Sequence, residues 1–363
     1  MAQVVAFHVG DRVHVLMSTS TQMVWHPVAS TKRASVYCCA ILSLGDASTI
    51  WEVGQSRGHV EVLESLPSHA RFFEEYLRGT GEFAKVGKPV LFSGAARGMP
   101  AYNLWTDDYL RDKHGHVLLD QVEPEKKETR TVLAQEDWTL RKFLDNYADK
   151  DIYSTAITPR ALSEEVYLLP FMNCGGYLDK LQATVLWFSS GGTSSVIHSD
   201  SQQNVHCMLA GTKHWILWRP DEKIDSREYG WIQAEDEGKR DPQFKDAYGQ
   251  FAGRINVSDV DLKKYPGWNK MPRWEMTLRA GDCAFIPKEW YHYVESTRQR
   301  SISVHVWFHN GNVFEGRGCD KLEAKLYNSS DFVYSLSDCT FRESRKRNPP
   351  CRLPKERLAR TEL

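Results

Sequence analysis

No two of the eight cysteines in this 363-residue chain are spaced Cys-x-x-Cys, which argues against a structural zinc module built on closely spaced thiolates. The cysteines (38, 39, 174, 207, 283, 319, 339 and 351) are scattered, and Cys207 and Cys283 fall in apolar strand patterns. A free cysteine in such a pattern is expected to act as a small buried hydrophobe. Long hydrophobic runs are also lacking. None approaches the roughly 18 residues of a transmembrane helix, so a membrane-spanning segment is not expected. Nor is there an excess of one charge: 46 Lys and Arg stand against 47 Asp and Glu, a net charge of −1. No global field gathers nucleic acid or an anionic membrane, and any basic partner surface must be local. What is present is an ordinary globular composition, 41% hydrophobic with 12 tryptophans, enough to bury a large core as one extended domain or two.

Residues 1–57 carry no clear periodicity and read as an N-terminal extension, irregular apart from one buried strand. Within them Lys32-Arg33 precede ASVYCCAILSLG, a layout similar to a signal peptide displaced from the start and brought nearer to one if translation begins at Met23. Residues 58–160 read as an α/β lead-in. His69, Phe72, Phe73 and Tyr76 place aromatic bulk on one helix face that stops near Gly79. Lys88–Gly94 follows as a short buried strand. Thr106 caps a helix with Asp107 and Asp108 in its first turn. The strand-like HVLLDQV leads into a charged loop and a helix with Leu140, Phe143, Leu144 and Tyr147 on one face.

Residues 161–312 are β-rich, with strands expected in EVYLLPFM, ATVLWFSS, NVHCML, HWILW, WEMTL, CAFIP and SISVHVWF. Many short strands parted by Gly and Asp turns predict a mainly β fold with flanking helices, a barrel or sandwich. Residues 221–273, polar and broken by Gly and Pro, read as a long insertion at its rim, where substrate contacts are common. Residues 313–341 read as a helical or irregular segment. The basic tail 342–363 contains Arg345-Lys346-Arg347 and reads as a solvated tail or as a nuclear-targeting or RNA-contacting strip.

The most informative stretch runs from Ser189 to Pro220. It places His198 and Asp200 two residues apart in a β-patterned segment, on one strand face and able to grip one metal ion. His292, within GDCAFIPKEWYHYVES, supplies a second imidazole from another apolar strand. Two histidines and one carboxylate with open positions make the facial triad of non-haem Fe(II) oxygenases. With 13 histidines, about one His-x-Asp is expected by chance, so order and surroundings carry the argument. Lys213 alternates with Trp215 and Leu217 beyond the Ala210-Gly211 turn, so its charge points inward, where a lysine is rare unless paired. His206 and His214 lie on nearby strands and read as hydrogen-bonded core histidines. Trp290 and Tyr291 read as walls that fix His292 and exclude water.

The glycine-rich turn before His-Ser-Asp, the QxxVxCxLxGxKxWxLWxP run after it, and the Gly-Asp turn opening the strand to Trp-Tyr-His together resemble the JmjC family of the cupin superfamily. The resemblance covers roughly residues 60–310. It implies a double-stranded β-helix (cupin, jelly-roll) barrel over 161–312. It also implies Fe(II) on His198, Asp200 and His292, 2-oxoglutarate as cosubstrate, and O2. Lys213 is then the cation for the distal carboxylate, which an apolar pocket cannot hold unpaired. By resemblance to an asparaginyl hydroxylase of the family, Ser195 takes the place of a threonine and Tyr167 that of a tyrosine, both binding this carboxylate. Asn204 matches an asparagine lining the cosubstrate pocket, and His305 replaces another.

The implied reaction hydroxylates a C–H bond, and the absence of accompanying reader or zinc modules looks more like the small protein hydroxylases, with a protein or peptide as substrate. A tRNA-base hydroxylase using the basic tail and a histone demethylase are rivals within the family. A cupin-fold binding module without turnover is the reading from another class. A cytoplasmic or nuclear enzyme is favoured. The Arg-Thr-Glu-Leu end and the sequons at Asn256 and Asn328 point instead to the ER lumen.

Overall fold

The computed structural model describes residues 48–123, 138–195, 197–221, 257–309, 314–317 and 319, with the backbone of residues 3–9, 12–19, 22–27 and 233–234. The chain divides into two units, Met1–Asp46 and Ala47–Leu363. In the first, β1 (Gln3–Val9), β2 (Arg12–Thr19) and β3 (Gln22–Pro27) form an antiparallel meander. The irregular extension expected from sequence is corrected here. QVVAFHV and RVHVLMST flank Gly10-Asp11, a hairpin signal that a search for one long period passes over. ASVYCCAILSLG lies outside the described residues.

The second unit is mainly β. Its strands are β4 (Gln55–His59), β5 (Glu61–Leu63), β6 (Val90–Phe92), β7 (Leu118–Leu119), β8 (Val122–Glu123), β9 (Trp138–Thr139), β10 (Tyr153–Ser154), β11 (Leu181–Ser189), β12 (His198–Ser199), β13 (Gln203–Ala210), β14 (Thr212–Trp218), β15 (Gln233–Ala234), β16 (Pro272–Arg279), β17 (Cys283–Ile286), β18 (Tyr291–Ser296) and β19 (Ser301–Phe308). An eight-stranded sheet runs β5-β6-β17-β13-β19-β11-β10-β8, a six-stranded sheet β15-β12-β18-β14-β16-β4, and β7 pairs with β9. Met208, Ala284 and Ile286 of the first large sheet meet Trp215, Leu217, Trp274, Met276 and Leu278 of the second in one buried cluster. The two sheets therefore face each other, as the jelly-roll expectation requires.

Each outer face has its own cover. The back of the eight-stranded sheet (Val205, Cys207, Leu209, Val304, Val306) joins a large core with Phe72, Tyr76, Leu110, Leu140 and Phe143 of the lead-in and with Leu162. Burying each large side chain there is worth about 1.5–3 kcal/mol. The lead-in helices form where expected, with Thr106 Oγ1 accepting from Tyr109 N at 3.2 Å and Thr139 Oγ1 from Lys142 N at 3.1 Å. The helix at His69–Arg71 continues as a π turn over Phe72–Leu77. The back of the six-stranded sheet (Ile216, Trp218, Tyr293) is covered by Ile50 and Val53 and by Val260, Tyr265, Trp268 and Met271. Residues 48–53 and 257–271, assigned by sequence to the extension and the rim insertion, thus belong to one apolar layer.

Two further expectations change. EVYLLPFM is not a strand: residues 164–169 are irregular apart from an isolated bridge at Tyr167, and Pro170–Met172 is a 3-10 turn started by proline. Cys207 and Cys283 are not free hydrophobes. They face each other across β13 and β17 and form a disulfide, and a second joins Cys174 to Cys319. Register decides the first pair, and register is not visible in one strand's sequence. Among the described residues no helix is long and apolar enough to cross a membrane. The basic tail, Asn256 and Asn328 lie outside the described residues.

Candidate metal centre and its cavity

The side chains that face the space between the sheets follow from strand alternation. With Val205, Cys207 and Leu209 turned to the outer core, Asn204, His206 and Met208 of β13 must turn inward. The same rule turns Ser303, His305 and Trp307 of β19 inward, with Lys213 and Trp215 of β14 and His292 and Val294 of β18. All but Asn204, Met208 and Ser303 of this inner set line one cavity, together with Tyr153, Trp187, Thr193, Ser194, Ser195, His198 and Asp200.

His198 on β12 stands directly opposite His292 on β18, and their ring centroids are 4.2 Å apart. Asp200 lies past the end of β12, where its backbone carbonyl accepts from Glu289 N at 2.6 Å. Its two carboxylate oxygens are each 3.8 Å from an imidazole Nε2, Oδ1 from His198 and Oδ2 from His292. One ligand atom from each of the three buried residues lies within 4.8 Å of the others. His292 Nδ1 is 2.9 Å from the Trp290 carbonyl, which can only accept, so Nδ1 carries the proton and Nε2 presents its lone pair. Trp290, itself fully buried with its indole N–H on the Val86 carbonyl at 2.9 Å, thus orients the ring through its backbone. Mixed N and O donors at this separation fit a divalent metal bound at about 2 Å, and this donor set with open positions is that of non-haem iron.

The turn into this site is glycine-dependent. Gly191 has φ +90, and a Cβ there would meet the Gln299 carbonyl at 2.1 Å. Beyond the turn, Thr193 N donates to Ser296 Oγ at 2.9 Å, and Ser195 Oγ accepts from Val294 N at 2.9 Å. These contacts pin the segment before His198 along β18. At the opposite end Gly211, with φ +80 and the Arg300 carbonyl 2.5 Å from any added Cβ, turns β13 into β14 and sets the phase that points Lys213 inward. Lys213 is only 4% exposed. Its Nζ donates to Ser303 Oγ at 3.0 Å and lies 5.5 Å from the Trp187 ring centroid.

A model of cupin-like domains matches residues 79–313 of the chain. This chain belongs to the cupin-like family, and within it to the JmjC proteins. It is 27% identical over 242 residues to "Lysine-specific demethylase 8" of Danio rerio, covering 64% of this chain and 55% of that protein. It is 30% identical over 130 residues to "HSPB1-associated protein 1" of Homo sapiens, covering 35% and 23%. It is also 30% identical over 122 residues to "Jumonji C domain-containing protein 5" of Drosophila melanogaster, covering 34% and 26%. The chain spans about half the length of the demethylase relatives it matches.

In this cupin-like protein the cavity brings together His198, Asp200, His292, Lys213, Ser195 and His305. Two expected residues sit elsewhere. Tyr167 packs against the outer core and not in the cavity, because its segment never enters the barrel. The tyrosine that lines the cavity is Tyr153 on β10, which sequence reading missed because a two-residue strand gives no periodicity to detect. Asn204 is buried behind the cavity wall, its Nδ2 donating to His305 Nδ1 at 3.0 Å. His206, read from sequence as a hydrogen-bonded core residue, does line the cavity, yet neither of its ring nitrogens has a hydrogen-bond partner. Burial, reinforced by the Lys213 charge, holds the His206 and His305 pKa values well below the ordinary imidazole value, so both rings are neutral near pH 7. His214 faces the other way, its Nδ1 3.2 Å from Thr277 Oγ1 on the outer surface.

Proposed function

We propose that this protein is an Fe(II)- and 2-oxoglutarate-dependent dioxygenase that hydroxylates a C–H bond on a protein side chain. The observation carrying this reading is the convergence of His198, Asp200 and His292 in the cavity that also holds the buried ammonium of Lys213. When bound, the iron supplies O2 activation coupled to oxidative decarboxylation of 2-oxoglutarate to succinate and CO2, which leaves one oxygen atom for the substrate. The side chains hold and orient. His198, Asp200 and His292 would ligate the metal, with the Trp290 carbonyl keeping the His292 Nε2 lone pair available. Lys213 would pair with the distal carboxylate, which offsets the cost of keeping both charges out of water. Ser195 and Tyr153 line the same cavity and would complete the carboxylate's hydrogen bonds, while Trp187, Trp215 and Trp307 keep bulk water out. No side chain acts as general acid or base. The side-chain substrate is supported by a relative whose name describes a lysine demethylase.

Anaerobic Fe(II) titration followed by an assay of succinate formation tests the reading. The wild type is expected to bind one Fe(II) and to turn over 2-oxoglutarate. Asp200→Ala is expected to lose more than about a hundredfold in Fe(II) affinity and all succinate formation. A wild type that binds no metal and forms no succinate would leave the binding module as the better reading. The two disulfides further support maturation in an oxidising compartment. Alkylation before and after reduction should then find Cys174, Cys207, Cys283 and Cys319 protected until reduction.

A further inference from the structure

His206 stands opposite His305 across β13 and β19, with ring centroids 3.9 Å apart and both residues at the wall of the cavity that holds Lys213. His206 is completely buried and His305 is 6% exposed. Neither nitrogen of His206 has a hydrogen-bond partner, and the same is true of His305 Nε2. Because Asn204 Nδ2 donates to His305 Nδ1, that nitrogen is the acceptor and the ring proton sits on Nε2, an unmatched donor at the cavity. The edge-on packing of His206 against Trp215, centroids 5.0 Å apart, accounts for at most one of its nitrogens and is a second-order contact.

Burying a polar group with no partner is costly, and such groups are rare in native proteins unless a bound molecule completes them. Nothing about the β13 backbone requires an imidazole. The neighbouring inward residue is Met208, and an apolar side chain of similar shape would avoid the penalty. The unmatched N–H groups of the two neutral rings belong to the same cavity wall as the buried Lys213, where an anionic acceptor satisfies the donors and the cation together.

We infer that His206, acting with His305, is a cosubstrate-binding residue that donates a hydrogen bond to the oxygens of the oxo acid held by Lys213. The inference rests on the function proposed above and extends it to a residue that the family resemblance leaves without a role. Both imidazoles bind as neutral donors, and no covalent step is involved.

Binding is tested on the full chain loaded with Mn(II) under argon, by quenching of tryptophan fluorescence during titration with 2-oxoglutarate, since Trp187, Trp215 and Trp307 line the cavity. His206→Phe keeps the ring shape and removes both nitrogens. It is expected to raise the Kd about tenfold to a hundredfold, the effect of losing a hydrogen bond to a charged group. Thermal unfolding of the ligand-free protein is expected to be unchanged or shifted upward, because an unmatched polar group has gone. His206→Gln, which keeps a donor and an acceptor, is expected to stay within about threefold of wild type. A folded His206→Phe with unchanged Kd, or with lowered stability and unchanged Kd, overturns the inference and makes His206 a packing residue. If the phenylalanine variant does not fold, His206→Met replaces it under the same criteria. A wild type that binds no 2-oxoglutarate instead overturns the proposed function, and the inference with it.

Discussion

The cavity and the cluster around Glu165 both bury polar side chains, and they differ in where the partners come from. At Glu165, Trp105 Nε1 donates to Oε2 at 2.7 Å, while Lys113 Nζ at 2.7 Å and the Tyr109 hydroxyl share Oε1. Burial pushes this carboxyl's pKa up. The hydrogen bonds from Lys113, Tyr109 and Trp105 outweigh it and hold the group below its ordinary value. Both oxygens are engaged inside the fold, and the cluster ties the helix Asp107–His114 to the end of the helix Arg160–Ser163. In the cavity Lys213 has Ser303, but His206, one edge of His305 and the indole nitrogens of Trp187, Trp215 and Trp307 have no hydrogen-bond partner. A buried polar cluster that closes on itself braces the chain. One left open has polar groups that a bound molecule or water can still complete.

The strongest test of this contrast is Lys213→Met. It is expected to weaken 2-oxoglutarate binding by about 2–5 kcal/mol. Stability of the ligand-free protein should hold or rise, because replacing a buried charge by an apolar chain is often neutral or favourable. Calorimetric titration and urea unfolding on one preparation would read both. Glu165→Gln is expected to do the reverse, costing about 1–3 kcal/mol of stability with no change in affinity. If either variant changed both quantities together, the distinction between brace and receptor would fail.

Acid should separate the clusters as well. Because Glu165 is held below its unfolded pKa, its contribution is complete above that value, near 4.3, and is lost as pH falls through the folded value. His206 is also held below its unfolded pKa, near 6.5, so the unfolded chain takes up its proton first and stability falls from about pH 6.5 downward. Stability measured against pH should lose the lower limb in Glu165→Gln and part of the upper one in His206→Phe. The smallest expected effect is the clearest on position: Tyr153→Phe should weaken 2-oxoglutarate binding about threefold to tenfold, and Tyr167→Phe should leave it unchanged. Equal losses in the two would restore Tyr167 to the cavity.

Much of the site was legible because its spacing is local. His198 and Asp200 are two apart, Lys213 is in phase with Trp215 and Leu217, and alternation alone says which side each takes. The expectations that failed depended on which strand lies beside which. EVYLLPFM has the composition of a strand but a proline at the wrong place, and among the described residues only Tyr167 of it makes a β-bridge. Tyr153 has a partner, β11, but too short a strand to announce itself. Cys207 and Cys283, or His206 and His305, become neighbours only when register is set across many intervening residues.

The sequence by itself determined the mainly β class, the alternation that sends successive side chains of each barrel strand to the inner or the outer face, the order His-x-Asp, Lys, His, and the glycines at 191 and 211 whose positive φ lets the chain turn into the site. These follow from the chemistry of each residue and its near neighbours. Only the tertiary structure decided that His292 stands opposite His198, that Tyr153 lines the cavity in place of Tyr167, and that two neutral imidazoles lie against the cavity beside a buried ammonium. Strand pairing joins residues far apart in the chain, and its register, set by the collective burial of both sheets, is not encoded at any single position.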